Sequence, residues 1–283
     1  MIELSAATFC LQWATGGLFF LWVTTRRREV GIGYGWLMRA SFGAIAVIGV
    51  VVGVRYDDAV LREAAGAAMV VATGAALVVS IVRRRAGVAG ERERVSVRSE
   101  RITAMTGIER DIEGPRDDVP EFPPVLDLVA PAIGVVALVA ASIESGGPVA
   151  VSLLRIVAGA LFLGAVTDAM LLGHWYLVQP GLARGPLLEL VRWTAALWPL
   201  EVAAMLVPTG MVSVLSGSID DGYGGILGWF WVACAVATIA LVGVTRAALR
   251  ERYYSAVMAA TGLLYLAILT AFGTDLVARA VLS

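Results

Sequence analysis

Residues 149–178 read VAVSLLRIVAGALFLGAVTDAMLLGHWYLV, and Arg155 and Asp168 are the charged residues in that stretch. A helix that crosses the hydrocarbon core of a bilayer needs about 20 predominantly apolar residues, and this segment exceeds that length. The pattern recurs along the chain. Apolar runs over 4–25, 34–54, 59–82, 125–143, 149–178, 187–207, 225–245 and 254–275 predict about eight transmembrane helices. The expected fold is an all-α polytopic membrane bundle forming one domain over 1–283, with a soluble linker at 83–124.

Composition agrees. The chain is 59% hydrophobic and only 16% charged, with a mean hydropathy of +0.81. A soluble domain of this size carries more charge. The net charge of -1 argues against a nucleic-acid partner. All 22 basic residues are arginine, and with the many Ala, Val and Gly residues this suggests a GC-rich bacterial source. Cys10 and Cys234 both fall inside apolar runs without zinc-ligand spacing, so inert buried thiols are expected in preference to a disulfide or metal site. The opening MIELS lacks the basic region of a signal peptide, which predicts that the first helix stays in the mature chain.

Arginines set an orientation. Arg26–Arg28, Arg83–Arg85, Arg184, and Arg246 with Arg250 and Arg252 follow alternate spans, whereas the intervening loops RYDDAVLRE, ESGG and GSIDDGYGG are acidic or poor in arginine. The positive-inside rule then places both termini outside or in the periplasm, in a bacterial cytoplasmic membrane, with the 83–124 linker cytoplasmic. In that linker Ile102, Met105 and Ile112 predict either a short amphipathic surface helix or a solvated connector. Asp57, Asp58, Arg62 and Glu63, and Asp220 with Asp221, read as solvated loop residues that help fix topology, the alternative being contact with an external domain. Asp275 sits near the end of the last predicted span.

Ionisable residues inside a span are costly and default to functional candidates. Gln12, Arg155 and Glu201 fall at a common depth, about 10 Å from the outer surface at 1.5 Å per residue. An Arg155–Glu201 pair with Gln12 nearby is expected, either as a structural lock or as part of a ligand site. Thr194, Trp198, Glu201 and Met205 form a stripe beside Pro199, which suits a quinone or substrate cavity or ordinary packing. A second candidate group is Asp168, His174, Trp175 and Tyr176 near the inner end of the fifth span: an aromatic belt, or a proton-accessible quinone contact.

No catalytic motif or metal-ligand set stands out. One histidine cannot supply bis-imidazole heme ligation, so heme is disfavoured and quinone is the cofactor considered. Three functions follow. The first is a non-catalytic or quinone-interacting subunit of a bacterial membrane redox or assembly complex, held by the lipid bilayer and other membrane subunits. The alternatives are a small-substrate or proton-coupled transporter and a membrane scaffold.

Overall fold

The computed structural model describes residues 5–57, 59–106, 120–179, 181–208 and 210–282, and every regular element among them is helical. In chain order they are α1 (Ala6–Thr25), α2 (Ile32–Tyr56), α3 (Val60–Val82), α4 (Ala89–Thr106), α5 (Val129–Glu144, preceded by a 3₁₀ turn at Pro124–Leu128), α6 (Val149–Val178), α7 (Gly185–Leu206), the short α8 (Gly210–Leu215), α9 (Ile226–Ala248) and α10 (Tyr254–Leu282). Seven of these are long and apolar enough to cross a membrane: α1, α2, α3, the Pro124–Glu144 unit, α6, α9 and α10. α7 falls outside that set because Glu189, Arg192 and Glu201 interrupt its apolar sequence. It nevertheless runs the height of the bundle. Arg184 before its first turn donates to the carbonyls of Leu249 and Tyr253, while Ala204 and Val207 at its far end accept from Arg155.

The bundle has two chemically distinct ends. Ser5, Asp57, Glu144, Arg155 and Arg279 line one cavity, so α1 begins, α2 and α5 end, α6 begins and α10 finishes at a shared terminal end. At the opposite, arginine-rich end, Arg26 and Arg27 pair with Glu189, Arg28 and Arg92 pair with Glu121, and Arg83 donates to the Glu121 carbonyl. The arginine-bearing loops therefore gather at one end.

α1 and α6 form the axis. Their backbones touch: a Cβ on Gly16 would overlap the Ala160 carbonyl, and one on Gly164 would overlap the Gly16 backbone. Small residues let helices approach this closely. Phe42 from α2 lies on Gly17, and Gly134 from α5 leaves room for Thr15 and Met69. The periphery is apolar toward the outside, with Val51 and Val54 on α2, Val71 and Val78 on α3, Trp229 and Val236 on α9, and Leu266 and Leu269 on α10 all exposed. Such an outward apolar surface is uncommon on a soluble monomer and suits lipid contact.

Several expectations need correction. The last helix runs to Leu282 instead of stopping at 275. The residues after Asp275 are good helix formers, and Arg279 sits one turn on, where it pairs with Asp275 and complements the helix C-terminus. The 83–124 linker contains α4 and a 3₁₀ turn at Arg84–Ala86. Met105 on α4 is 74% exposed, while Ile112 and the side chain of Ile102 lie outside the described residues. Arg62 is no solvated loop residue. It is buried and bridges Asp57 and Glu63 (2.7 Å and 2.5 Å). The Ser5 hydroxyl and then Arg62 hold the Asp57 carboxyl below its ordinary value; Asp58 lies outside the described residues. Asp221 caps α9: it accepts from the N–H groups of Tyr223, Gly225, Leu227 and Gly228, which fill orphan donors of a helix start and depress its pKa, Gly225 contributing most.

Candidate functional site

Gln12, Arg155 and Glu201 do converge at the terminal end, with partners from α10 that the chain order conceals. Asp275 accepts from Arg279 Nε (2.8 Å) and from Gln12 Nε2 (3.4 Å), and Arg279 Nη2 donates to the Arg155 carbonyl (2.6 Å). Gly159 makes this meeting possible, since a Cβ there would run into the Gln12 amide, the Asp275 carboxylate and the Arg279 guanidinium.

The expected Arg155–Glu201 ion pair is not formed. Arg155 directs Nε to the Ala204 carbonyl (3.2 Å) and Nη2 to the Val207 carbonyl (2.8 Å). These acceptors belong to the last turn of α7, where carbonyls lack intrahelical partners. A cation there satisfies them and the negative end of the helix together. Glu201 lies near Arg155 but faces the Asp275 carboxyl at hydrogen-bonding range, and both its carboxyl oxygens are buried without an N–H or hydroxyl donor among the described residues. Thr194 and Met205 share its buried face, whereas Trp198 turns away and donates Nε1 to the Ala235 carbonyl of α9 (2.9 Å). Trp198 is thus a packing residue of the α7–α9 contact and no part of the polar cluster.

Above the cluster opens a cavity of about 290 Å³. Thr8, Gln12, Ser152, Arg155 and Arg279 line it, with Asp57, Arg62 and Glu144 among the other polar wall residues. Ser152 is fully buried, and its hydroxyl has no hydrogen-bond partner in the described residues; the same holds for Gln12 Oε1.

The second expected group, Asp168 with His174, Trp175 and Tyr176, is not brought together. Six residues at 3.6 per turn put Asp168 and His174 about 120° apart around α6. Asp168 is fully buried with Tyr34 of α2 as a neighbour, and its carboxyl oxygens have no hydrogen-bond partner among the described residues, while the Tyr34 hydroxyl lies against Thr24. His174 is exposed, and its Nδ1 lies 3.1 Å from the Tyr265 hydroxyl of α10. Trp175 donates to Gln179 (3.1 Å) and tilts against Tyr34, and Tyr176 donates to the Ala183 carbonyl. These last contacts fix the turn into α7.

A carboxyl buried without a cationic partner is costly if charged. Asp168→Asn removes that cost, adds amide donors and changes little volume. The variant is expected to keep the native thermal midpoint or exceed it. A drop equivalent to more than about 1 kcal/mol would mean that the carboxylate has a stabilising partner.

Sequence reading missed the best-made ion pair. Arg39 of α2 and Asp127 of the 3₁₀ turn meet side-on, Nε to Oδ1 and Nη2 to Oδ2, both 2.8 Å, at 2% and 1% side-chain exposure. Thr25 adds a hydrogen bond to Asp127 (3.0 Å), and the Arg39 guanidinium lies 4.3 Å over the Phe122 ring. The signal was present only as one isolated charge in each of two apolar runs.

The fold and site define a class: an all-helical bundle, with seven helices suited to a membrane and a polar cluster under a cavity at one end. Comparison with protein families, characterised proteins and solved structures yields no match, so function rests on the geometry of the site.

Proposed function

We propose that this protein is a multi-pass membrane transporter for a small polar solute. In this reading α7 is an eighth span, its charges shielded by the bundle. Both termini and the cavity face outside, and the arginine-rich loops face the cytoplasm in accord with the positive-inside rule.

The observation that carries the reading is the contrast between two buried charge clusters. Arg39 and Asp127 are locked two-pronged with a hydroxyl and an aromatic ring around them, the form a structural pair takes. The Gln12, Arg155, Glu201, Asp275 and Arg279 cluster lies instead next to an open cavity, with Gln12, Arg155 and Arg279 in its wall; each cluster leaves a buried polar atom without a partner among the described residues, Arg39 Nη1 in one and Gln12 Oε1 in the other, so the cavity is what distinguishes them. Intramembrane charges facing a cavity mark solute paths. Asp168, further along the same helix, is suited to carry a proton through the core.

The quinone reading draws on a different feature. An apolar crevice of about 350 Å³ lies between α1, α5 and α6, with Phe19, Leu138 and Leu161 in its wall. It suits a lipid or isoprenoid tail, but Thr15 is the one polar side chain lining it. His174 and Asp168, the expected contacts for a quinone oxygen, do not line it, so it supports the quinone reading less well than the polar cavity supports transport.

Glu201 tests the proposal. In a chain whose Cys10 and Cys234 are replaced by serine, Glu201→Cys is expected to react with a membrane-impermeant thiol reagent from the outer face and, in inverted vesicles, from the inner face. Alternating access requires both. Reaction from one face alone, or from neither, removes the transport reading.

A further inference from the structure

The donors left over in the cavity identify what it takes. Arg155 spends Nε and Nη2 on carbonyls of α7, and Arg279 spends Nε on Asp275 and Nη2 on the Arg155 carbonyl. The Nη1 group of each therefore has no protein partner among the described residues, and neither Nη1 is sealed off, although the two residues are only 6% and 9% exposed. Ser152 contributes a hydroxyl that is also unpartnered but, unlike the two Nη1 groups, is enclosed within the cavity wall. Gln12 is held by its amide nitrogen on Asp275, which leaves Oε1 as a free acceptor in the same wall. The wall thus offers two guanidinium N–H groups and a hydroxyl to an anion, and one carbonyl oxygen to a donor beside it.

Two further features narrow the class. Asp57, Arg62 and Glu144 also line the cavity; Arg62 is spent on Asp57 and Glu63, so it is the Glu144 carboxylate that disfavours a multiply charged anion such as phosphate dianion. The volume of about 290 Å³ suits a solute of a few heavy atoms. We infer that the cavity binds a small monocarboxylate with a hydrogen-bond donor on the adjacent carbon, an α-hydroxy or α-amino acid: Arg155, Arg279 and Ser152 hold the carboxylate, and Gln12 Oε1 accepts from the adjacent donor. This inference rests on the transport reading for its purpose, while the binding itself is measurable separately.

Ser152→Ala is the informative variant, since it deletes a hydroxyl that no described residue uses, so the fold loses nothing. The full chain, purified in detergent, is titrated with sodium lactate and with glycine while its thermal midpoint is followed. Sodium acetate, sodium phosphate and sodium chloride serve as comparisons. Ligand that binds the native state raises the midpoint with concentration. The expected result is a rise with lactate or glycine, a smaller one with acetate, and none with phosphate beyond that with chloride. In Ser152→Ala the unliganded midpoint stays put and the apparent affinity falls about tenfold, the effect of one hydrogen bond to a charged group.

A rise with phosphate alone, no rise at all, or an unchanged response in Ser152→Ala overturns the assignment. So does a rise seen only when phosphatidylserine is added to the micelles, which would make the carboxylate that of a lipid headgroup. Thiol access to Glu201→Cys from both faces without a carboxylate response would leave the transport reading standing and remove this one. A carboxylate response without access from the inner face would do the reverse.

Discussion

Asp127→Ala is expected to destabilise the bundle by about 3–5 kcal/mol, the cost of leaving one member of a buried ion pair alone. Arg39 would then lie at 2% exposure, its Nε and Nη2 without acceptors, under the Phe122 ring. Water reaches this site poorly, so the guanidinium cannot recover its hydration. The damage should spread, because Asp127 also receives Thr25 at the end of α1 and thereby ties α1, α2 and the entrance to α5 together. Unfolding titrations in mixed micelles would measure the loss. The double variant Arg39→Met with Asp127→Leu should recover most of it, since matched apolar residues replace such a pair at little net cost. A single-variant loss below about 1 kcal/mol would show that the pair does not hold this end.

The second large effect concerns one methyl group. Gly16→Ala places a Cβ on the Ala160 backbone carbonyl, which cannot rotate away as a side chain would. Either α1 and α6 separate or the carbonyl shifts, and overpacking of this kind costs about 1–3 kcal/mol or more. Because the pair forms the axis, the expected result is a sharp loss of folded protein after extraction. Gly74→Ala on α3 is the control: it has open space around its Cβ position. There the change should stabilise by about 0.5–1 kcal/mol, the usual gain for alanine over glycine inside a helix. Equal effects at the two positions would refute the close contact.

These tests also separate what the two ends of the molecule do. The Arg39–Asp127 end is tied by a two-pronged buried pair, and Arg28, Arg92 and Glu121 add further ties there. The terminal end holds the cavity beside its own ion pairs, Arg62 with Asp57 and Glu63 and Arg279 with Asp275. Asp168→Asn probes the core between them, Glu201 probes the polar cluster beneath the cavity, and Ser152 probes the cavity wall.

Much of this was readable along the chain. The run at 149–178 appears as α6 with those same limits, because thirty residues with two charges leave the backbone no other way to satisfy its polar groups in an apolar setting. The common depth of Gln12, Arg155 and Glu201 also follows from counting residues, since rise along a helix is regular. Azimuth and partner choice do not follow. Arg155 prefers carbonyls of α7 because the end of that helix lies beside it, and Asp275 joins Gln12 across 263 positions because α1 and α10 meet near Gly159. Asp168 and His174 are close in sequence yet open onto different surroundings, the core and the periphery. Arg39 and Asp127, 88 positions apart, become one unit only when α2 and the turn before α5 pack. Hydropathy and periodicity, which act locally, thus determined the helices and the gathering of arginines at one end. Tertiary packing alone decided which charges are neutralised and which remain facing a cavity, because that depends on helix rotation and backbone approach between segments far apart in the chain.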